Sequence, residues 1–219
     1  MTETVTTDAK PRPGLTPERV SMFTDAVLAI AITLLALEIP RPDEKDLEHL
    51  DVFLSERSSG FLSFALAFVL LWFAWRAHHQ LFDQLKQVSQ VLLAVHVPLL
   101  LFAAFLPYAT HLIGEAEDAG AGNGKSIAVG MFSATEGVLM VCLGLLFAFA
   151  AWQRLYADGS NVARIVTSAV VNGAIGLWWW IAAAVSFAGH ADVAMLIWWL
   201  TPVLTVVVVF TRRAMVKRR

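Results

Sequence analysis

Cysteine is almost missing from this chain of 219 residues: Cys142 stands alone inside an apolar run. A single thiol makes no disulfide framework and no thiolate zinc site, so it reads as a small buried hydrophobe. Charge is scarce as well, at 16% of residues against 58% hydrophobic, with a mean hydropathy of +0.64. So apolar a composition excludes an ordinary soluble domain and implies an integral membrane protein. Gly-x-Ser-x-Gly, His-Glu-x-x-His and a phosphate-binding glycine loop are all missing, so no enzyme and no cofactor are expected. There is no internal repeat of the kind that supplies paired broken helices to a transporter. Nor does residues 1–17 contain an apolar core of signal-peptide type, and no nucleic-acid partner is expected.

What the chain does have is six apolar segments. The first lies between Arg19 and Pro40, and the others cover roughly 60–80, 90–113, 127–151, 162–187 and 191–211, each long enough for the ~20 residues that cross a bilayer. The expected fold class is therefore all-α, with six transmembrane helices in one domain over 18–212. Residues 1–17 are expected to form a mobile cytoplasmic tail, and 213–219 a basic cytoplasmic C-terminus. Thr16 is placed to cap the first helix, with Pro17 at its first position. Arg41 to Ser59 is polar and acidic, and Leu47, Leu50 and Leu54 recur there at the spacing of a short surface helix. Asp158-Gly159 and Gly189 mark tight links. Pro98, Pro107, Gly137, Gly144, Gly173 and Gly176 fall inside spans, where they are tolerated and let helices approach closely.

Lysine and arginine set the orientation. With six spans, Lys10, Arg12, Arg19, Arg76, Lys86, Arg154, Arg164, Arg212, Arg213, Lys217, Arg218 and Arg219 share one side, which is twelve of the 16 basic residues. Only Arg41, Lys45, Arg57 and Lys125 face the other. The positive-inside rule then makes both termini cytoplasmic in a multi-pass protein of the cell membrane, with the acidic first loop outside.

The first segment has two faces. At 100° per residue, Phe23, Ala26, Val27, Ile30, Leu34 and Leu37 fall on one stripe with Thr33 at its margin, and Asp25 points away from it. Periodicity alone fits packing against other helices or lipid equally well. Asp25 lies about 9 Å along the axis from Arg19. The second span ends at a similar depth with Trp72-x-x-Trp75-Arg76-Ala77-His78-His79. Charges at such depth rarely stay unpaired, which predicts a polar cluster of Asp25 with some of Arg19, Arg76, His78 and His79, joined by Thr24. His78 and His79 are adjacent and point about 100° apart on a helix, so no metal site is expected. A proton relay through Asp25 and a nearby histidine stays open as the alternative. Glu136 is expected to be a structural carboxylate bonded to His96 or His111.

Arg19-x-x-x-Phe23-Thr24-Asp25-Ala26, followed by Ala29-Ile30-Ala31-Ile32-Thr33-Leu34-Leu35, resembles the signature first helix of the endosomal/lysosomal transmembrane potassium channel family. Thr24 replaces the serine of that pattern and keeps its hydroxyl. Trp75-x-x-His78-x-x-x-Phe82 and Leu106-Pro107-Tyr108-Ala109-Thr110 are similar to the ends of the family's second and third helices, and His96 stands where an asparagine belongs. The resemblance, to short prokaryotic members, implies a homotetramer around four copies of the first helix. It implies a potassium-permeable cation channel in the lipid bilayer, with monovalent cations as partners and K+ as the permeant ion. Ile30, Leu34 and Leu37 would form a dry gate, tightest at Ile30, and Thr33 would supply selectivity. Arg19, Phe23, Thr24, Asp25, Arg76, His78 and His79 would form the structural network. A proton-conducting channel or proton-coupled transporter using Asp25 and nearby histidine is the competing expectation.

Overall fold

The computed structural model describes residues 15–118 and 122–201. The expected mobile tail therefore lies almost wholly outside the described residues, as does the basic C-terminus. Thr16 caps the first helix, α1 (Pro17–Leu35), by accepting a hydrogen bond from the Arg19 amide at 3.4 Å, and Pro17 sits inside its first turn. A 3-10 turn, Ala36–Glu38, tightens its far end before Pro40. The chain then forms a second 3-10 turn, Asp46–His49, and the short α2 (Leu50–Glu56), anchored by buried Phe53, as the leucine spacing predicts. The long helices α3 (Ser58–Phe82), α4 (Gln90–Asp118), α5 (Gly122–Trp152) and α6 (Val162–Phe187) follow. A last helical stretch, α7 (Ala191–Thr201), runs to the end of the described residues.

Five helices among the described residues are long and apolar enough to span a membrane, the first being Pro17–Glu38 with the 3-10 turn included. Of the sixth expected span, 191–211, α7 covers the part up to Thr201, and the rest lies outside the described residues. Pro98 and Pro107 both lie inside the continuous α4, as membrane helices tolerate where neighbouring groups and local backbone adjustment re-satisfy the freed carbonyls.

The core is built on α5, which is buried along most of its length. Its contact with α6 is backbone to backbone: a Cβ on Gly144 would lie 2.8 Å from the Gly173 nitrogen, and one on Gly176 would lie 2.8 Å from the Val141 nitrogen. Without a hydrophobic force between helices in lipid, such close packing is what holds them together. At one end of the bundle the α3–α4 and α5–α6 connections are pinned to each other. Lys86 N–H donates to the Leu155 carbonyl at 2.9 Å and Ala157 N–H to that of Gln84 at 2.8 Å. Gly159 and Gly189 turn the chain at φ of 85° and 92°, a region costly for other residues. α7 is held by Trp198, whose indole N–H donates to Ser133 Oγ at 2.9 Å, and by a Lys125–Asp192 ion pair at 2.9 Å.

Candidate pore helix and its polar anchor

One face of α1 is spent on the subunit. Val20, Thr24, Leu28, Ala31 and Leu35 are buried, spaced by four, four, three and four residues, and they dock on α3 and α4. The opposite face is apolar and uncovered in the single chain: Phe23 is 63% exposed, Ile30 59%, Leu34 40% and Leu37 58%. Ala26 is exposed as well, and Val27 is half-buried at the edge. Thr33 lies on the exposed side and donates its hydroxyl proton to the Ile30 carbonyl at 2.8 Å. That hydrogen bond leaves the Thr33 oxygen as an acceptor.

The charged cluster expected around Asp25 is replaced by separate contacts. Asp25 Oδ1 accepts from the indole N–H of Trp75 on α3 at 2.9 Å. Among the described residues Asp25 makes no ion pair with Arg19, Arg76, His78 or His79. The reason is the rotation of α3. Trp75 and His79, four residues apart, share the edge nearest α1 and stack at 5.4 Å. Arg76 is turned outward over the Trp72 ring at 5.7 Å, and His79 pairs with Asp83 at 3.6 Å. Phe23, placed in the network by resemblance, belongs to the exposed face. Thr24 is fully buried, and its hydroxyl finds no partner among the described residues.

His78 points the other way, into the core, and meets His96 of α4 with Nε2 to Nε2 at 3.0 Å. Phe82 covers the pair, stacked on His78 at 4.2 Å. The hydrogen bonding has a direction. The Leu92 carbonyl, 2.6 Å from His96 Nδ1, can only accept, so Nδ1 carries the proton. In a neutral pair His96 Nε2 is then the acceptor and His78 Nε2 the donor, which leaves the lone pair of His78 Nδ1 buried without a partner among the described residues. One hint of this contact was legible beforehand, the histidine standing where an asparagine belongs, but nothing named its partner.

At the far end of α1, Glu38 accepts from or pairs with His111 of α4 at 3.1 Å. Glu136 therefore has neither of its expected partners, since His96 is taken by His78 and His111 by Glu38. Its carboxyl is completely buried on α5, with no hydrogen bond among the described residues. No group of three potential metal ligands occurs among the described residues.

With these positions fixed, comparison with known proteins bears on the same helices. Residues 19–107, from α1 into α4, match the family model described as endosomal/lysosomal potassium channel TMEM175. The TMEM175 resemblance holds. A protein named potassium channel from Chryseobacterium sp. (strain P1-3) is 33% identical over 100 residues, 46% of this chain and 50% of that one. A protein named endosomal/lysosomal proton channel TMEM175 from Bos taurus is 35% identical over 103 residues, 43% of this chain and 22% of that one. This chain thus spans half or less of each of these two curated relatives. In fold, it is similar to the crystal structure of a lysosomal potassium-selective channel TMEM175 homolog from Chamaesiphon minutus, with a TM-score of 0.68. That match covers 90% of this chain and 97% of the other at 24% identity. The TMEM175 relatives are named as channels and not as enzymes, in keeping with the missing catalytic signatures.

Proposed function

We propose that this chain is the subunit of a potassium-permeable cation channel in the cell membrane, with six spans, both termini cytoplasmic, and α1 of four copies lining the pore. The observation that carries the reading is the two-faced α1. Its inner face is buried against α3 and α4, while Phe23, Ile30, Leu34 and Leu37 form an exposed apolar stripe that none of the other described helices covers. Four such stripes around an axis close a pathway that one copy cannot enclose. Ile30, Leu34 and Leu37 are spaced by four and three residues, so they make layers about 6 and 4.5 Å apart. A ring of four isoleucines dewets the path, and the Thr33 oxygens, with their protons committed to backbone, offer acceptors to a dehydrated cation. The potassium-channel names of the bacterial relatives support the choice of ion.

Proton conduction is the second reading, favoured by the proton-channel name of the vertebrate relatives and by the buried imidazole pair. The direction of that pair argues against a through path. A proton reaching His78 Nδ1 is passed from His78 Nε2 to His96 Nε2, but the next group is a backbone carbonyl with no proton to hand on. Asp25 is bound to an indole and not to either imidazole. The test is to reconstitute the protein in a planar bilayer and measure currents under bi-ionic potassium, sodium and proton gradients. Current carried by protons alone replaces the first reading with the second.

A further inference from the structure

Glu136 takes no part in the cation path: it sits on α5, whereas α1 docks on α3 and α4. Its side chain is 0% exposed, and neither carboxyl oxygen has a hydrogen bond among the described residues. A second polar group is stranded near it. Trp179 on α6 is 1% exposed, and its indole N–H also has no partner among the described residues. Buried donors and acceptors are paired in the great majority of cases, so two orphans that face one place call for a common partner.

Packing around Phe132 and Ser133 brings the two together. The Trp179 ring meets Phe132 at 6.0 Å and Trp198 of α7 at 5.8 Å, and Trp198 in turn donates to Ser133. Glu136 comes one turn later on α5, and long helical side chains lean back over the residues three and four positions before them. The carboxyl is thus carried over Phe132 and Ser133, on the side where Trp179 and Trp198 converge. α7 runs in step with α5, with Trp198 beside Ser133 and Asp192 beside Lys125. Thr201, three residues after Trp198, therefore stands abreast of Glu136 and adds another buried polar side chain at that level.

We propose that Glu136 and Trp179 hold one buried water molecule between α5 and α6. The guest has to accept a hydrogen bond from the indole, which only donates. Glu136 is neutral, because a carboxylate so deep is disfavoured without a counter-charge. Lys125, the cation on the same helix, is about 16 Å away along the axis and paired with Asp192. A neutral acid presents one O–H and acceptor oxygens. A monovalent cation is repelled by the indole proton and gains no charge from the acid, and an anion would be buried without a cation. Water accepts and donates at once, and a buried water typically makes about three hydrogen bonds to such groups. It ties α6 to α5 at mid-span, and the site does not depend on α1 lining a pore.

The experiment is a structure of the full chain in lipid nanodiscs, sharp enough to show ordered water, paired with infrared spectra in ordinary and heavy-oxygen water. The wild type should show one water within ~3 Å of both the Glu136 carboxyl and the Trp179 nitrogen. Its spectra should contain the carbonyl band of a protonated acid and an internal-water band that shifts in heavy-oxygen water. Glu136→Gln should lose the acid band and keep the water. Glu136→Leu should lose both, and Trp179→Phe should lose the water band while the acid band shifts. If Glu136→Leu fails to fold, the other two variants decide. No water between the two groups, a direct bond from Glu136 to a protein group, an ionised Glu136, a density that changes when potassium is exchanged for sodium, or a water band that survives Trp179→Phe overturns the proposal.

Discussion

Removing the bond between Asp25 and Trp75 tests the anchor of α1 against α3. The contact is a single indole N–H to a carboxylate at 2.9 Å in a part-buried setting. Hydrogen bonds to charged groups contribute about 1.5–3 kcal/mol in soluble proteins. Interhelical polar pairs within membranes average only about 0.6 kcal/mol and reach about 1.7, because the unfolded chain also finds partners there. A coupling of about 1 kcal/mol is therefore expected for this pair. Single variants overstate it: Trp75→Phe also disturbs the ring stacked on His79, and Asp25→Ala leaves the indole N–H unpaired. A double-mutant cycle of Asp25→Ala and Trp75→Phe isolates the pair term, read from reversible unfolding in mixed micelles. Distant sites add to within about 0.3–0.5 kcal/mol, so a coupling inside that range contradicts the assignment. The companion cycle, Asp25→Ala with Arg76→Gln, should be additive because Arg76 lies over Trp72. Coupling there, with none to Trp75, restores the ion-paired cluster that the sequence suggests.

Ile30→Asn should wet the narrowest layer and raise single-channel conductance, whereas Thr33→Val should change the potassium to sodium permeability ratio more than the total current. Leu177→Asn, on the 64% exposed face of α6, is the control and should leave both unchanged. Leu28, by angle the natural control on α1 itself, is only 2% exposed and packs in the core; Leu28→Asn should destabilise the fold by about 2–5 kcal/mol through lost packing and an unpaired amide, measured by unfolding. Gly144→Ala drives a methyl to within 2.8 Å of the Gly173 nitrogen and should cost about 1–3 kcal/mol by the same assay. His96→Asn removes the ring that faces His78; potassium current should persist and any proton flux of the wild type should be unchanged, and loss of such a flux alone moves the relay reading ahead.

The elements of the fold that depend on neighbours in sequence were legible in it. Thr16 and Pro17 marked the start of α1, Leu47, Leu50 and Leu54 the surface helix, and Gly159 and Gly189 the turns, because caps, periodicity and positive φ are set within a few residues. The division of α1 into two faces was legible for the same reason, although the burial of Leu28 was not, since angle alone does not say which face the subunit keeps. Contacts between helices were read less well. Trp75 and Arg76 are one residue apart and both polar at the tip, and only the rotation of α3 about its axis decides that the indole reaches Asp25 while the guanidinium turns outward. His78 and His96 meet because the consecutive helices α3 and α4 cross at that level, and with His96 so engaged Glu136 has no partner among the described residues. Coulomb attraction suggested ion pairs for these residues; packing of large aromatic side chains placed them elsewhere.

The central claim is that copies of α1 line a cation path closed by a ring of Ile30 side chains. Its most direct measurement is single-channel recording of the reconstituted protein under bi-ionic potassium and sodium, wild type beside Ile30→Asn. Potassium-carrying openings that grow in conductance in the variant, from an assembly whose mass is that of a tetramer, are the expected result. A strictly monomeric protein, or a conductance that ignores Ile30→Asn and responds instead to Leu177→Asn, contradicts the account.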